Sequence, residues 1–274
     1  MGKLKVMNWN VRFISSWYGK AATFEEFLHG DFCYLLEEIT PENFDKLKRD
    51  VGSGVKLVYS FDHYPCVDNF SGIRQMGVVL VCSKRVKVLE SGVVETALLP
   101  ERTLWTTIEY EGKVLKLLAS HALAASSFYK AKALQFDTLK RFIEWYQPDL
   151  VLMDANDPQK DSYDIDQMVF SDLDRQYGHV AFFRAMRNQG MVDAYVKAHG
   201  ITEDPADGAP LAVSYQLYGG KCVRYDFIFV KDTLPLVECE YHYEKAVEAG
   251  SDHAIVLASF RFPKQVKTPK TRNA

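Results

Sequence analysis

The chain has 274 residues, of which 47% are hydrophobic and 25% charged, with a formal net charge of −3. That apolar share supports a packed core and excludes a disordered or low-complexity chain. The slightly acidic balance excludes a binder that works through a strongly basic surface, although a bound divalent cation reverses the local field.

A strand pattern starts almost at once, at residues 4–10, with no apolar leader ahead of it. No run is long enough to span a bilayer, so a cytoplasmic protein is expected. Further strand patterns, rich in Val, Ile, Tyr and Thr, cover 32–37, 55–61, 77–82, 86–93, 103–110 and 114–121. Glu111-Gly112 reads as a tight hairpin turn between the last two. Residues 62–75 hold Pro65, Asn69 and Gly72 without a period and read as a surface loop. A helix is expected over 128–146, with Leu134, Thr138, Phe142 and Trp145 on one face and Pro148 as its stop. Two more are expected at 178–189 and 192–199. Strands return near 213–217, 224–230, 237–243 and 255–262. The segment 264–274, with Lys264, Lys267, Lys270 and Arg272, reads as a basic polar tail behind a single domain at 1–263. Many strands with few helices between them predict an α/β protein of two mixed sheets packed face to face, helices outside. Cys33, Cys66, Cys82, Cys222 and Cys239 include no CxxC pair, which predicts neither a zinc site nor a disulfide framework and fits a reducing cytosol.

Polar groups recur where apolar strand patterns stop. Asn10, Glu37, His121, Asp154 with Asn156, and Asp226 are so placed, and Ser251-Asp252-His253 stands before Ala254-Ile255-Val256-Leu257. Repeated along a chain, this pattern gathers side chains into one site at one edge of packed sheets. An acidic residue next to a histidine can hold a metal with one group and move a proton with the other. His253 titrates near neutrality and suits a base that activates water. Each element has a plain alternative. Asp154-Ala155-Asn156-Asp157-Pro158 reads also as a turn, and Asn10 and His121 as strand-end hydrogen-bonding residues.

Taken in order, these residues resemble the endonuclease/exonuclease/phosphatase superfamily over essentially the whole chain, and Gly190-Met191-Val192-Asp193-Ala194-Tyr195 resembles its helix-start segment. The resemblance implies a four-layer α/β sandwich, two packed mixed β-sheets flanked by helices, and Mg²⁺- or Mn²⁺-dependent cleavage of phosphate esters. It implies Glu37 as principal metal carboxylate, Asp252 as the second, and Asn10 beside the metal or phosphate. It implies His253 as base, Asp226 as the residue that fixes its tautomer, and Asp154 and Asn156 as the pair that positions water and a phosphate oxygen. A histidine at His121 is similar to pancreatic-type deoxyribonucleases and sphingomyelinases and implies protonation of the leaving oxygen. Trp9-Asn10-Val11-Arg12-Phe13 looks like the deoxyribonuclease Asn-x-Arg and implies a phosphate contact by Arg12. Arg102 is a phosphate contact or a salt-bridged strand start.

The chain departs from the family at Leu36, where a glutamine is usual, and at Met153 and Ala155, where a glycine and an aromatic are usual. No glutamate near Arg74-Gln75 is in place to orient His121. The metal and base groups are untouched by these changes, and the substrate class is left open. The expected function is a metal-dependent phosphodiester hydrolase, in first place a nuclease acting on nucleic acid with no obligate protein partner. The alternatives are a phosphatase or phosphodiesterase for a small-molecule or lipid phosphate, and an inactive binding module. Trp17-Tyr18, the aromatics of 61–70 and Phe128-Tyr129 are candidates for stacking on bases or for loop packing.

Overall fold

The computed structural model describes residues 2–13, 15, 17–65, 75–170 and 178–263, with the side chains of 125–129 set aside. The expected basic tail, most of the 62–75 loop and the Phe128-Tyr129 side chains therefore lie outside the described residues. In chain order the strands are β1 (Gly2–Asn10), β2 (Asp31–Ile39), β3 (Val55–Tyr59), β4 (Gly77–Ser83), β5 (Lys87–Gly92), β6 (Thr103–Tyr110), β7 (Lys113–His121) and β8 (Leu150–Asp154). They continue with β9 (Met191–Asp193), β10 (Tyr215–Gln216), β11 (Cys222–Val223), β12 (Asp226–Lys231), β13 (Leu236–His242) and β14 (Ile255–Phe262). The helices are α1 (Trp17–Glu25), α2 (Pro41–Val51), α3 (Ser60–His63), α4 (Ala125–Tyr146), α5 (His179–Asn188), α6 (Ala194–His199) and α7 (Tyr243–Glu248).

Twelve strands form two six-stranded mixed sheets, ordered β13-β14-β1-β2-β4-β3 and β5-β6-β7-β8-β12-β9. Only β1–β2 and β7–β8 run parallel; the other pairs of the two sheets are antiparallel. Both faces of the central strands are apolar, and the period of two sorts them. Val6, Leu35, Leu117, Leu152 and Ile228 point into the core between the sheets. Their neighbours Met7 and Leu36 pack outward with Trp17, Phe24, Leu47 and Ala246 of α1, α2 and α7. On the far side Leu118, Val151, Met153, Phe227 and Phe229 pack with Phe136, Leu139, Ile143, Phe182 and Phe183 of α4 and α5. The result is helices, sheet, sheet, helices: the four-layer sandwich.

Several elements differ from the sequence expectation. The helix expected from Val192 starts at Ala194, because Val192 pairs with Val230 in β9 and the Asp193 carboxylate caps the helix. The strand expected over 213–217 is reduced to β10. Ser60–His63, which span the end of the strand expected at 55–61 and the start of the expected loop, form a helical turn. Helices α1, α2 and α7 were not expected. Trp17 is buried in α1 rather than presented for stacking, whereas Tyr18 is exposed. No described helix is long and apolar enough to cross a membrane.

Candidate active site

Strand register assembles the site. In the first sheet Asn10 of β1 lies level with Glu37 of β2. In the second, His121 of β7 lies level with Asp154 of β8, and Asp154 with Asp226 of β12. The two rows meet across the gap between the sheets. The Asp154 N–H donates to Glu37 Oε1 at 3.1 Å, and Asn10 Nδ2 donates to Asp154 Oδ2 at 3.0 Å. Asp154 also accepts from the Asn156 backbone N–H at 2.8 Å and from Asn156 Nδ2 at 3.1 Å.

His253 enters from the loop before β14. The Ser251 hydroxyl fixes that loop by donating to the Asn10 carbonyl at 2.6 Å and accepting from the His253 N–H at 3.1 Å. Tyr215 packs its ring against the imidazole at 4.7 Å between centroids. His253 Nδ1 then lies 2.9 Å from Asp226 Oδ2 and 3.8 Å from Asp154 Oδ2. With Nδ1–H donating to Asp226, Nε2 carries the lone pair. The Ser214 hydroxyl accepts from the Asp226 N–H at 3.1 Å and so holds the strand start in place.

Charge is concentrated here. Burial, and then repulsion from Asp154 and Asp226, pushes the Glu37 carboxyl well above the ordinary carboxylate range. Burial raises Asp154 to about 6 even though His253 pulls the other way. Burial pulls the His253 imidazole down, but Asp226 and Asp154 outweigh it and leave it well above the usual histidine range. Burial, with Arg102 and His253 adding to it, holds His121 well below that range and therefore neutral.

These oxygens fit a hard cation. Glu37 Oε2 and Asp226 Oδ1 are buried without a hydrogen-bond partner among the described residues. Ligand atoms of Asp154, Asp226 and His253 lie within 4.8 Å of one another. Stranded anionic oxygens among clustered carboxylates are what a divalent ion neutralises.

Other expected residues sit differently. The Asn10 amide oxygen accepts from the Arg12 N–H at 2.9 Å, and its NH₂ donates to Glu38 and Asp154, so Asn10 braces two acids of the site. Asp252 is turned to Arg12 Nε at 3.3 Å, on the rim rather than in the carboxylate cluster. Asn156 has a left-handed backbone, φ 49°, that folds its amide back onto Asp154 and the Ala122 carbonyl. Both of its N–H groups are thereby engaged within the protein. Arg102 is 3% exposed, with Nη2 against Met76 Sδ, behind the site rather than on an open groove. The Arg12 side chain, by contrast, stays 43% exposed.

Glu38 was missed. The β2–β4 register shifts between Leu36 and Ile39, and Glu38 takes φ 59°, which turns its carboxylate to the same edge. There it accepts from Asn10 Nδ2 at 3.1 Å and the Phe13 N–H at 2.9 Å, with His121 Nε2 at 3.4 Å. It is a carboxylate beside His121, for which the sequence offered none near Gln75. The acidic doublet Glu37-Glu38 at a strand end was the available signal.

Two buried lysines were missed as well. Lys20 of α1 donates to the Arg12 and Ser15 carbonyls, each at 3.2 Å, and shapes the loop after β1; burial and then Arg12 pull it down to about 8. Lys132 of α4 donates to the Asn156 carbonyl at 2.7 Å and to Asp157 Oδ2 at 3.0 Å, and His179 Nδ1 lies 2.9 Å from the same oxygen. This pair supports the Asp154–Asn156 turn from behind. Lys132→Met is expected to cost about 3 kcal/mol of unfolding free energy, as removing one partner of a buried ion pair does. Urea unfolding measures it, and a loss under about 0.5 kcal/mol, the range of ordinary surface changes, would contradict the supporting role.

Sheet order and layers define the fold class, the four-layer α/β sandwich that the sequence resemblance implied. By sequence, no family model and no curated protein matches the chain. Solved structures do match. TDP2 from D. rerio, complexed with a single-strand DNA product, has a TM-score of 0.65 at 17% identity, over 96% of this chain and 100% of that one. The 3′ phosphatase NExo from Neisseria, bound to a product DNA hairpin, has a TM-score of 0.66 at 18% identity, over 96% and 100%. The human Nocturnin catalytic domain, with bound sulfate, has a TM-score of 0.64 at 18% identity, over 95% of each chain. At these identities the likeness is one of fold.

Proposed function

We propose that this chain, as one domain over 1–263, is a divalent-metal-dependent phosphodiester hydrolase that acts on nucleic acid in the cytosol. The observation that carries the reading is the His253–Asp226 pair, 2.9 Å apart, set beside buried carboxylates with oxygens that have no partner. A Mg²⁺ or Mn²⁺ ion would be held by Glu37 through that oxygen and would neutralise a phosphoryl oxygen; Asp252, the second carboxylate implied by the sequence, would have to leave Arg12 and turn inward to join it. The rest is done by the chain. Asp226 holds Nδ1–H and orients the imidazole. His253 Nε2 takes the proton from the attacking water. Asp154, held by three hydrogen bonds from Asn10 and Asn156, faces the same imidazole and favours its charged form. Arg12 contacts a phosphate from the rim. The DNA complexes of the TDP2 and NExo neighbours support a nucleic-acid substrate.

The test is a substrate panel at saturating Mg²⁺: plasmid DNA, single-stranded DNA, RNA and phosphomonoesters. Cleavage of a polynucleotide with the highest kcat/KM is expected. A phosphomonoester or lipid headgroup as best substrate would replace the reading with the phosphatase alternative.

Two further outcomes follow from the charges. His253 must lose its proton to act, and its pKa lies above the ordinary 6.5, so kcat should rise with pH on the alkaline side of that value. A plateau already reached below pH 6.5 would contradict this. His121 is held neutral, which suits a hydrogen-bond donor to phosphate better than the proton source expected from sequence. His121→Ala should therefore slow alkyl and p-nitrophenyl esters by about the same factor. A loss confined to the alkyl ester, whose leaving group needs a proton, would restore the acid role.

A further inference from the structure

A cleft of about 650 Å³ opens beside the carboxylate cluster, lined by Phe13, Ser15, Thr40, Asn43, Lys46 and Gln75 among others. It adjoins the site directly, because the Phe13 N–H is held by Glu38 and Thr40 follows Glu38 by two residues. Its volume is that of a small-molecule site. Asn43 is 7% exposed overall, and its side-chain amide lines the cleft, open to solvent and without a hydrogen bond to another described residue. An amide that faces an open cleft with no partner in the protein keeps both its donor and its acceptor free for a ligand.

The chemistry of the lining narrows the ligand. The cleft sits at the start of α2, yet that helix end is poorly suited to an anion. Pro41 has no N–H, Thr40 Oγ1 already accepts from the Asn43 N–H at 3.2 Å, and Glu42 stands in the first turn. Lys46, the cation of the lining, is paired with Glu42 at 2.7 Å. Among the other lining groups are the Asn43 amide, with donor and acceptor side by side, and the aromatic side chain of Phe13. A planar, uncharged group with its own donor–acceptor edge fits both: an amide pairs with such an edge bidentately, and a ring stacks on its plane.

We propose that this cleft takes a nucleobase of the nucleotide next to the scissile phosphate, stacked on Phe13 and read by Asn43. The proposal rests on the nucleic-acid reading of the site and makes it base-selective. The experiment uses the whole chain with Mg²⁺ and single-stranded oligonucleotides that differ only in the base beside one cleavable phosphodiester, set as A, C, G or T. The wild type should discriminate among the four bases by roughly tenfold in kcat/KM, as one bidentate amide contact does. Asn43→Ala should bring the four values to within roughly twofold, and Asn43→Asp, which keeps acceptors and loses the donor, should change their order. Phe13→Leu, which keeps the N–H held by Glu38, should lower kcat/KM for all four through KM. Variants that cleave with the wild-type ratios would overturn the cleft and leave the nuclease reading standing. A wild type indifferent to the base would do the same. A wild type that hydrolyses small phosphate esters and no oligonucleotide would overturn both.

Discussion

His253→Ala is expected to lower kcat for phosphodiester cleavage roughly 10²–10⁴-fold, the range for loss of general acid–base catalysis. The imidazole is placed by Asp226 on one nitrogen, and by Ser251 and Tyr215 around its backbone and ring. No other described histidine faces Asp226, so no neighbour replaces it. Asp226→Asn should act more mildly, roughly 10–100-fold, as loss of an orienting partner does, with kcat affected more than KM. Steady-state kinetics on one defined oligonucleotide gives both values. A His253→Ala variant within tenfold of the wild type would remove the proton-transfer role.

Glu37→Gln should abolish turnover and at the same time stabilise the chelated protein. Gln keeps the oxygen that accepts from the Asp154 N–H and removes a buried charge that Asp154 and Asp226 repel. Loss of the carboxylate proposed to hold the metal should cost roughly 10²-fold or more, beyond the loss of a supporting partner. The effect on stability has a definite sign. The Glu37 pKa is raised in the folded state, so the folded chain binds more protons than the unfolded chain above the ordinary carboxylate range. Stability of the metal-free wild type therefore falls as pH rises through that window, and Glu37→Gln lacks this fall. Differential scanning in EDTA between pH 5 and 8 should show the variant's Tm exceeding the wild type's by a margin that widens with pH. Each kcal/mol is worth about 2–4 °C at this size. A margin that narrows as pH rises would contradict a buried, repelled carboxylate.

The sheets were legible because both faces of strands such as 4–10 and 114–121 are apolar, which leaves little choice but burial between two layers. Helices α1 and α7 were not legible. α1 carries Gly19 and Thr23 and presents no clean apolar stripe, and α7 is only six residues long. α2 did have a signal, in the Thr40 cap and Pro41 at its first turn, and it went unread. Strand β9 exists through its pairing with β12 rather than through its own three residues, and no local pattern announces it.

In the site, residue types at strand ends were legible and side-chain directions were not. Asp226 and His253 are 27 positions apart and meet only because β12 and the loop before β14 end at one edge. The direction of the Asn10 and Asn156 amides depends on local hydrogen bonds and left-handed backbone, which spacing does not encode. Glu38 reaches the site through an irregular register, and an alternating strand would have turned it away. Lys132 reads as one more charge on a helix until Asp157 is seen beneath it.

The most direct measurement is metal add-back. Protein stripped with EDTA and dialysed free of chelator is assayed on a single-stranded oligonucleotide while Mg²⁺, and separately Mn²⁺, is titrated in. The account predicts no turnover at zero metal, a saturable rise with added ion, and no rise for Glu37→Gln. Turnover that persists through chelation, or wild-type protein that stays inert with both ions on DNA, RNA and phosphate esters alike, would contradict it.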